Sequence, residues 1–134
     1  MASTTIEYRL MPGTGAVIGR SGAHHVIADR PEGKADGSGL GFNGGELLAF
    51  AIGGCFCNDL RYIAEGMGVE VADIRVGVTL QFDGQPSRTV GASMSVECRL
   101  ADGSDPTELI ERAKRVSNIA NSLRAGIPVE IAAA

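Results

Sequence analysis

The apolar stretch from Gly44 to Met67, GGELLAFAIGGCFCNDLRYIAEGM, constrains the fold of this chain more than any other feature. Its length and hydrophobicity predict a buried helix that begins near Glu46 and ends near Met67. Two of the three cysteines, Cys55 and Cys57, lie in the middle of this stretch. Thiols in an apolar helix are either unreactive groups that pack in the core or reactive groups shielded from solvent. The function of the chain depends on which of these the two cysteines are.

The central part of the predicted helix, Leu47 to Cys57, is apolar on every face. Such a helix has to be covered on all sides, and one small sheet covers only one of them. The pair Gly53-Gly54 would let another backbone approach closely. We therefore expect an obligate homodimer with this helix at its centre. The same run is shorter than the roughly 20 residues that span a bilayer, so we expect no membrane partner.

The residues before the helix predict three short strands and a loop. Extended segments are expected at Thr5–Leu10, Ala16–Arg20 and His24–Ala28, with turn residues between the first two. From Asp29 to Gly45 the chain is rich in Gly, Asp, Pro and Lys, which is typical of a long surface loop.

The residues after the helix alternate between apolar and polar over two long runs, Asp73–Asp83 and Val90–Leu100. This period of two predicts an antiparallel hairpin with one buried face. A second helix is expected to start at Asp105–Glu108, with aspartate at the N-cap and proline in the first turn, and to reach Leu123 with or without a break. Ile127–Ile131 is predicted to be a last short strand. The order βββ–α–ββ–α–β indicates a single α+β domain, residues 1–134, with antiparallel sheets.

Composition limits the partners and the compartment. The net charge is −4 and the pI is near 5.1, which argues against a nucleic-acid-binding surface. The N-terminal sequence MASTTIEYRL has neither a basic nor an apolar region of the kind that a secretion signal carries. An odd number of cysteines fits a reducing compartment better than a disulfide framework. We therefore expect a cytoplasmic protein.

Cys55 is the first candidate for chemistry. A reactive thiol needs thiolate character, and burial without a positive partner opposes it. Arg20 would supply that charge if its loop approaches the helix. Glu46 is either a favourable carboxylate in the first helical turn or a partner that orients Arg20. Cys57 and Cys98 are both expected to be packing residues, and Cys57 lies about 200° around the helix from Cys55, too far for an ordinary disulfide.

The remaining polar residues predict no further site. Asp59, Arg61 and Glu65 are interpreted as the solvated end of the helix. His24 and His25 are neighbours on a strand, so their side chains point to opposite faces, and no Cys–His spacing completes a zinc site. We expect neither a metal nor a cofactor.

Taken together, these residues resemble the OsmC/Ohr family, the osmotically inducible protein C and organic hydroperoxide resistance proteins, over most of the chain. Glu46–Leu48 followed by Gly53–Cys55 resembles the family pattern P-x-E-L-L-x-A-x-x-G-x-C. The segment Gly19–Gly22 resembles the G-R-x-G that bears the family's arginine. Ser117–Val129, SNIANSLRAGIPV, resembles the segment C-P-x-S-N-x-x-R-x-x-I-x-V.

The resemblance implies an OsmC-like fold, an intertwined homodimer with its active site at the subunit interface, and the reduction of organic hydroperoxides. The first cysteine of the family, Cys55 here, attacks the peroxide and becomes a sulfenic acid. An arginine and a glutamate, matched by Arg20 and Glu46, hold and activate that thiol. A second cysteine in the C-P motif resolves the sulfenic acid as a disulfide, and lipoyl or other dithiols then reduce the enzyme.

This chain departs from the family pattern at the resolving position. Ser117 and Asn118 stand where the family has Cys-Pro, and serine cannot form the disulfide. Asn43-Gly44-Gly45 replaces the common Asn-Pro-Glu, so the glutamate role falls to Glu46. The usual two-cysteine cycle is therefore not available.

Three hypotheses follow. In the first, Cys55 is a single-cysteine thiol peroxidase that acts on small organic hydroperoxides, with Arg20 and Glu46 as its partners and an external thiol as the resolving reductant. In the second, the chain is a diverged, non-peroxidatic member that binds a small apolar ligand at the dimer interface. In the third, both helix cysteines are core residues and the fold is only a scaffold.

Overall fold

The computed structural model describes all 134 residues, which form a mixed α+β fold with two antiparallel sheets and three helices. The chain divides into two compact units, Met1–Leu47 and Leu48–Ala134. The elements in chain order are β1 Glu7–Leu10, β2 Val17–Ser21, β3 His24–Ala28, α1 Gly44–Met67, β4 Val71–Asp83, β5 Arg88–Leu100, α2 Thr107–Val116 and α3 Asn118–Ala125.

The N-terminal unit is built on a three-stranded meander in the order β1-β2-β3. The three predicted strands are confirmed, and β3 has the expected bounds. The predicted loop after Ala28 is present and returns to the sheet, because the backbone N–H of Phe42 donates to the carbonyl of Ile27 at 2.9 Å. The N–H of Asp29 donates in turn to the carbonyl of Phe42 at 3.0 Å.

A buried carboxylate organises this loop. Asp29 is only 5% exposed, and its side chain accepts hydrogen bonds from the backbone N–H groups of Arg30, Ser38 and Leu40 at 2.7, 3.1 and 3.0 Å. The bond from Leu40 is the largest of the effects that hold the pKa of Asp29 below its usual value, and burial opposes them. The loop is therefore an ordered structure around one charge, although most of its residues are exposed.

The C-terminal unit contains the main hydrophobic core. Strands β4 and β5 pair antiparallel over almost their whole length, from Val71 opposite Leu100 to Asp83 opposite Arg88, as the alternating pattern predicts. The apolar face of this hairpin packs with α1 and α2. The buried members of this core are Phe56, Leu60, Ala64, Val71, Leu100, Leu109 and Ala113.

The second predicted helix is two helices with a break at Ser117. The first of these helices begins at Thr107 with Pro106 as its N-cap, one residue later than predicted with Asp105 at the N-cap. The carboxylate of Asp105 nevertheless accepts hydrogen bonds from the N–H and the hydroxyl of Thr107 at 2.9 and 2.6 Å. The predicted strand Ile127–Ile131 is wrong, because this segment has no regular secondary structure and is exposed. A strand needs a pairing partner for its backbone groups, and none lies beside this segment within the chain.

Helix α1 is only partly covered by its own chain. Ile52, Gly53, Phe56, Leu60 and Ala64 are its buried residues, and they form a single face. The sequence run Leu47–Cys57 is too short to span a bilayer, but the whole helix is long and apolar enough to do so by length and composition. Its buried face lies in a folded core, which is the behaviour of a core helix rather than of a membrane span.

Candidate functional site

Cys55 lies on α1, half-buried, one position before the core residue Phe56. Its Sγ lies 3.7 Å from Oδ2 of Asp59, one helical turn further on, and the thiol is the donor of this contact. Asp59 is itself half-buried. The prediction that Asp59 belongs to the solvated end of the helix is therefore wrong, since its carboxylate faces the thiol.

The other two cysteines differ from Cys55 in their surroundings. Cys98 lies on β5 opposite Ile74 and packs against the core, and burial raises the pKa of its thiol. A raised pKa lowers the thiolate fraction, and the packing of Cys98 against the core agrees with the packing role that the alternating pattern predicts. Cys57 is half-buried on α1, and none of the three cysteines forms a disulfide.

Arg20 lies on β2, the central strand of the N-terminal sheet. Its cross-strand neighbours are Glu7 on β1 and His25 on β3, and its side chain is exposed. The carboxylate of Glu7 is paired with Arg9, so it does not neutralise Arg20. Arg20 also lines a shallow depression of about 220 Å³ on this sheet, together with Tyr8 and residues of β3. It makes no ion pair within the chain.

Glu46 forms a reciprocal capping box at the start of α1. Its Oε1 accepts a hydrogen bond from the backbone N–H of Asn43 at 3.0 Å, and its own N–H donates to Oδ1 of Asn43 at 2.8 Å. This arrangement satisfies two otherwise unpaired groups at a helix N-terminus. Arg20 and Glu46 lie in the same unit but form neither a hydrogen bond nor an ion pair with each other.

A mostly apolar cleft of about 770 Å³ lies in the C-terminal unit, and we call it the α1–β5 cleft. One wall is α1, another is the first half of β5, and the third is formed by α2 and α3. Its lining residues are Leu48, Ile52, Phe56, Thr89, Val90, Gly91, Ala92, Ser93, Met94, Val96, Ile110, Lys114, Ser117, Ala120, Leu123 and Arg124. Cys55 is not among them.

Ser117 is the notable polar residue of this cleft. It is the residue between α2 and α3, it is 1% exposed, and its hydroxyl oxygen is the one buried side-chain polar atom with no hydrogen-bond partner. Its backbone is fully engaged, since its N–H donates to the carbonyl of Ala113 at 3.1 Å and its carbonyl accepts from Asn121 at 3.0 Å. Ser117 therefore lines a cleft that Cys55 does not line.

The structure contains no group of three or more His, Cys, Asp or Glu side chains that could hold a metal ion. His24 and His25 are exposed on β3 and border the depression beside Arg20.

Sequence reasoning missed three features of this region. The contact between Cys55 and Asp59 had a signal in the sequence, because residues four apart lie on one face of a helix. The α1–β5 cleft had none, because it depends on how four elements pack. The capping box also had a signal, in the spacing of Asn43 and Glu46.

The comparison with protein families supports the resemblance seen in the sequence. Residues 36–132 match the family model described as OsmC, OsmC-like protein. This match includes Glu46, Cys55 and Ser117, and it excludes Arg20. A search of curated protein sequences finds no relative of this chain.

Solved structures with the same fold are similar at low sequence identity. An OsmC-like protein from Mycoplasma pneumoniae is 16% identical, with a TM-score of 0.74 over 92% of this chain and 88% of that one. An organic hydroperoxide resistance protein OsmC from Legionella pneumophila is 18% identical, with a TM-score of 0.63 over 92% and 90%. The organic hydroperoxide resistance protein OhrB of Bacillus subtilis is 21% identical, with a TM-score of 0.61 over 93% of each chain. Identities this low establish the fold alone.

Proposed function

This chain belongs to the family of OsmC-like proteins, and we propose that it reduces organic hydroperoxides through Cys55 by a single-cysteine mechanism. The observation that carries the proposal is the setting of Cys55. It lies inside the matched region on α1 and is half-buried rather than sealed in the core. Relatives with the same fold include proteins named for organic hydroperoxide resistance.

The proposed reaction begins when the Cys55 thiolate attacks the outer oxygen of the hydroperoxide. The S–O bond forms as the O–O bond breaks, the alkoxide takes up a proton and leaves as an alcohol, and Cys55 becomes a sulfenic acid. An external thiol condenses with the sulfenic acid to give a mixed disulfide and water. A second external thiol then releases the Cys55 thiol and an external disulfide. The two-cysteine cycle requires a sulfur atom at position 117, whereas this single-cysteine cycle does not.

Arg20 and Glu46 complete the proposed site. Arg20 carries an exposed charge that no carboxylate of its own chain neutralises, which suits it to stabilise a thiolate or a leaving alkoxide. Glu46 fixes the first turn of α1 through its bonds with Asn43. In this proposal Arg20 acts on the thiol and the peroxide, and Glu46 is a positioning residue.

We further propose that the protein is a single-domain, cytoplasmic homodimer with α1 at the subunit interface. Two aromatic side chains of α1 support this, because Phe50 and Tyr62 are 60% and 73% exposed in the isolated chain. Gly53 and Gly54 have different surroundings in the chain. A side chain at Gly53 would meet Val78 of the same chain at 3.0 Å, whereas one at Gly54 would meet nothing, so Gly54 is the position that a second subunit can approach.

A second candidate function is ligand binding without peroxide chemistry. The α1–β5 cleft favours it, because its volume of about 770 Å³ lies in the range of small-molecule sites and its wall is mostly apolar. The ligand would be a small apolar molecule.

Steady-state turnover separates the two functions. The test is loss of cumene hydroperoxide in the presence of dihydrolipoamide or of dithiothreitol, measured on wild type and on Cys55→Ser, with Cys57→Ser as the matched control. Turnover that disappears in Cys55→Ser and persists in Cys57→Ser supports the peroxidase. Turnover that is absent from the wild type, or is equal in all three proteins, contradicts it and leaves the binding function.

A further inference from the structure

We propose that the α1–β5 cleft is a binding site for amphipathic carboxylates, molecules with an apolar chain and one anionic head group. This inference rests on the second candidate function, ligand binding, and specifies the class of ligand. It does not depend on peroxide chemistry at Cys55, which lies outside the cleft lining. Three properties of the cleft carry it: its apolar wall, a buried hydroxyl without a partner, and its charge.

The apolar wall selects the body of the ligand. The cleft is lined by apolar side chains of three elements, among them Ile52 and Phe56 of α1, Met94 and Val96 of β5, and Leu123 of α3. These side chains offer no hydrogen bonds, so they favour a hydrocarbon chain over a polar molecule. The volume of about 770 Å³ is ample for a chain of about ten carbons.

The hydroxyl of Ser117 selects a hydrogen-bonding head group. A buried polar group without a partner is disfavoured, and buried polar groups in folded proteins are nearly always paired. The Oγ of Ser117 is buried, lines the cleft and has no partner in the chain. A ligand oxygen that accepts from this hydroxyl would satisfy it, and a carboxylate is a stronger acceptor than a neutral oxygen.

The charge of the cleft selects an anion. Its lining includes Lys114 and Arg124 and no aspartate or glutamate, although the whole chain carries a net charge of −4. Lys114 is paired with Glu111 at 3.0 Å. Arg124 has no carboxylate partner and donates only to the amide oxygen of Asn121. Its guanidinium is therefore the free cation on the same helix that begins beside Ser117.

Isothermal titration calorimetry with decanoate and decan-1-ol on the full-length protein tests this inference. Both probes have the same chain and differ in the head group, and decanoate is used well below its micelle concentration. The variants are Ser117→Ala and Arg124→Gln. The control is Arg115→Gln, which removes the same charge from α2 at a position outside the cleft lining.

The expected result is one decanoate per chain, with at least about tenfold weaker binding of decan-1-ol, because a hydrogen bond to a charged group contributes roughly that factor. Ser117→Ala weakens decanoate binding about tenfold for the same reason. Arg124→Gln weakens it and reduces its salt dependence, and Arg115→Gln and Cys55→Ser leave it unchanged. Thermal unfolding checks that Ser117→Ala, which removes only an unpaired hydroxyl, remains folded.

Three results would overturn the inference. Equal binding of decanoate and decan-1-ol would leave an apolar ligand site and remove the carboxylate specificity. Decanoate binding that is unaffected by Ser117→Ala and Arg124→Gln would place the site elsewhere. Absence of binding of either probe would exclude the cleft as a site for such ligands without bearing on peroxide turnover at Cys55.

Discussion

The Sγ of Cys55 lies 3.7 Å from Oδ2 of Asp59, so the one cysteine that the family pattern identifies has a carboxylate as its neighbour on the same helix. The two residues are four apart, and both are half-buried. Asp59 is therefore the residue whose substitution tests the reactivity of this thiol most directly.

Replacing Asp59 with asparagine is expected to make Cys55 react faster. Two unit charges about 4 Å apart repel by about 1 kcal/mol in water, so removing the carboxylate is expected to speed the reaction of the Cys55 sulfur by up to about fivefold. The measurement is the rate of iodoacetamide alkylation at pH 7 in a Cys57→Ser background, with Cys55 followed by peptide mass. Glu65→Gln, on the exposed part of the same helix, serves as the control. An unchanged or slower rate in Asp59→Asn would show that the carboxylate does not act on the thiol.

Two substitutions of Glu46 distinguish its structural role in capping α1 from a functional role of its charge. Glutamine retains the capping box, whereas alanine loses its side-chain acceptor at the start of α1 and is expected to lower the free energy of unfolding by about 1 kcal/mol. Urea unfolding of the two variants gives this comparison. If the charge of Glu46 also orients Arg20, Glu46→Gln lowers peroxide turnover without loss of stability. Equal stability of the two variants would contradict the capping role.

Asp29 is expected to make the N-terminal loop sensitive to acid. Its pKa is lowered in the folded state, first by the N–H of Leu40, so its contribution to stability is present above the unfolded value of about 4 and is lost as the pH falls through the lower folded value. Hydrogen-exchange protection of the Ser38 and Leu40 amides between pH 6 and 3 measures this effect.

Protection of those two amides should fall below about pH 4 in the wild type. Asp29→Asn should show reduced protection already at pH 6 and little further change with acid. Asp36→Asn, at an exposed position in the same loop, should behave like the wild type. Protection that is independent of pH in the wild type would mean that the carboxylate does not hold the loop.

Gly54 tests the proposed dimer. A Cβ at this position meets no atom of its own chain, so Gly54→Arg is compatible with the fold of one subunit but places a charge where the second subunit is proposed to pack. Analytical ultracentrifugation is expected to show a dimer for the wild type and a monomer for this variant. Gly66→Arg, which is equally unobstructed on the same helix, should remain dimeric. A monomeric wild type would contradict the proposal.

Local patterns predicted the elements of this fold well, because the patterns of α1, β4 and β5 are set by burial on one face. The failure at Ile127–Ile131 has a physical cause. These residues alternate like a strand, but strand formation depends on a pairing partner, and sequence does not say whether one is available.

The candidate site was less predictable than the fold. Cys55, Arg20 and Glu46 could be named from motifs, whereas their surroundings depend on side-chain orientation and packing. Asp59 was assigned to solvent although its spacing from Cys55 placed the two on one face. Ser117 lies in a polar segment of the sequence, which gives no sign that its hydroxyl is buried and unpaired at the wall of a cleft. That position follows from the packing of α2 and α3 against β5.

Intact-protein mass spectrometry after addition of stoichiometric cumene hydroperoxide, with dimedone present to trap sulfenic acid, tests directly whether Cys55 is a peroxidatic thiol. The wild type should gain one dimedone adduct per chain rapidly, and Cys55→Ser should gain none. The Cys57→Ser control should behave like the wild type. If the wild type gains no adduct, or if Cys55→Ser gains the same adduct, Cys55 is not a peroxidatic thiol and the proposed function is wrong.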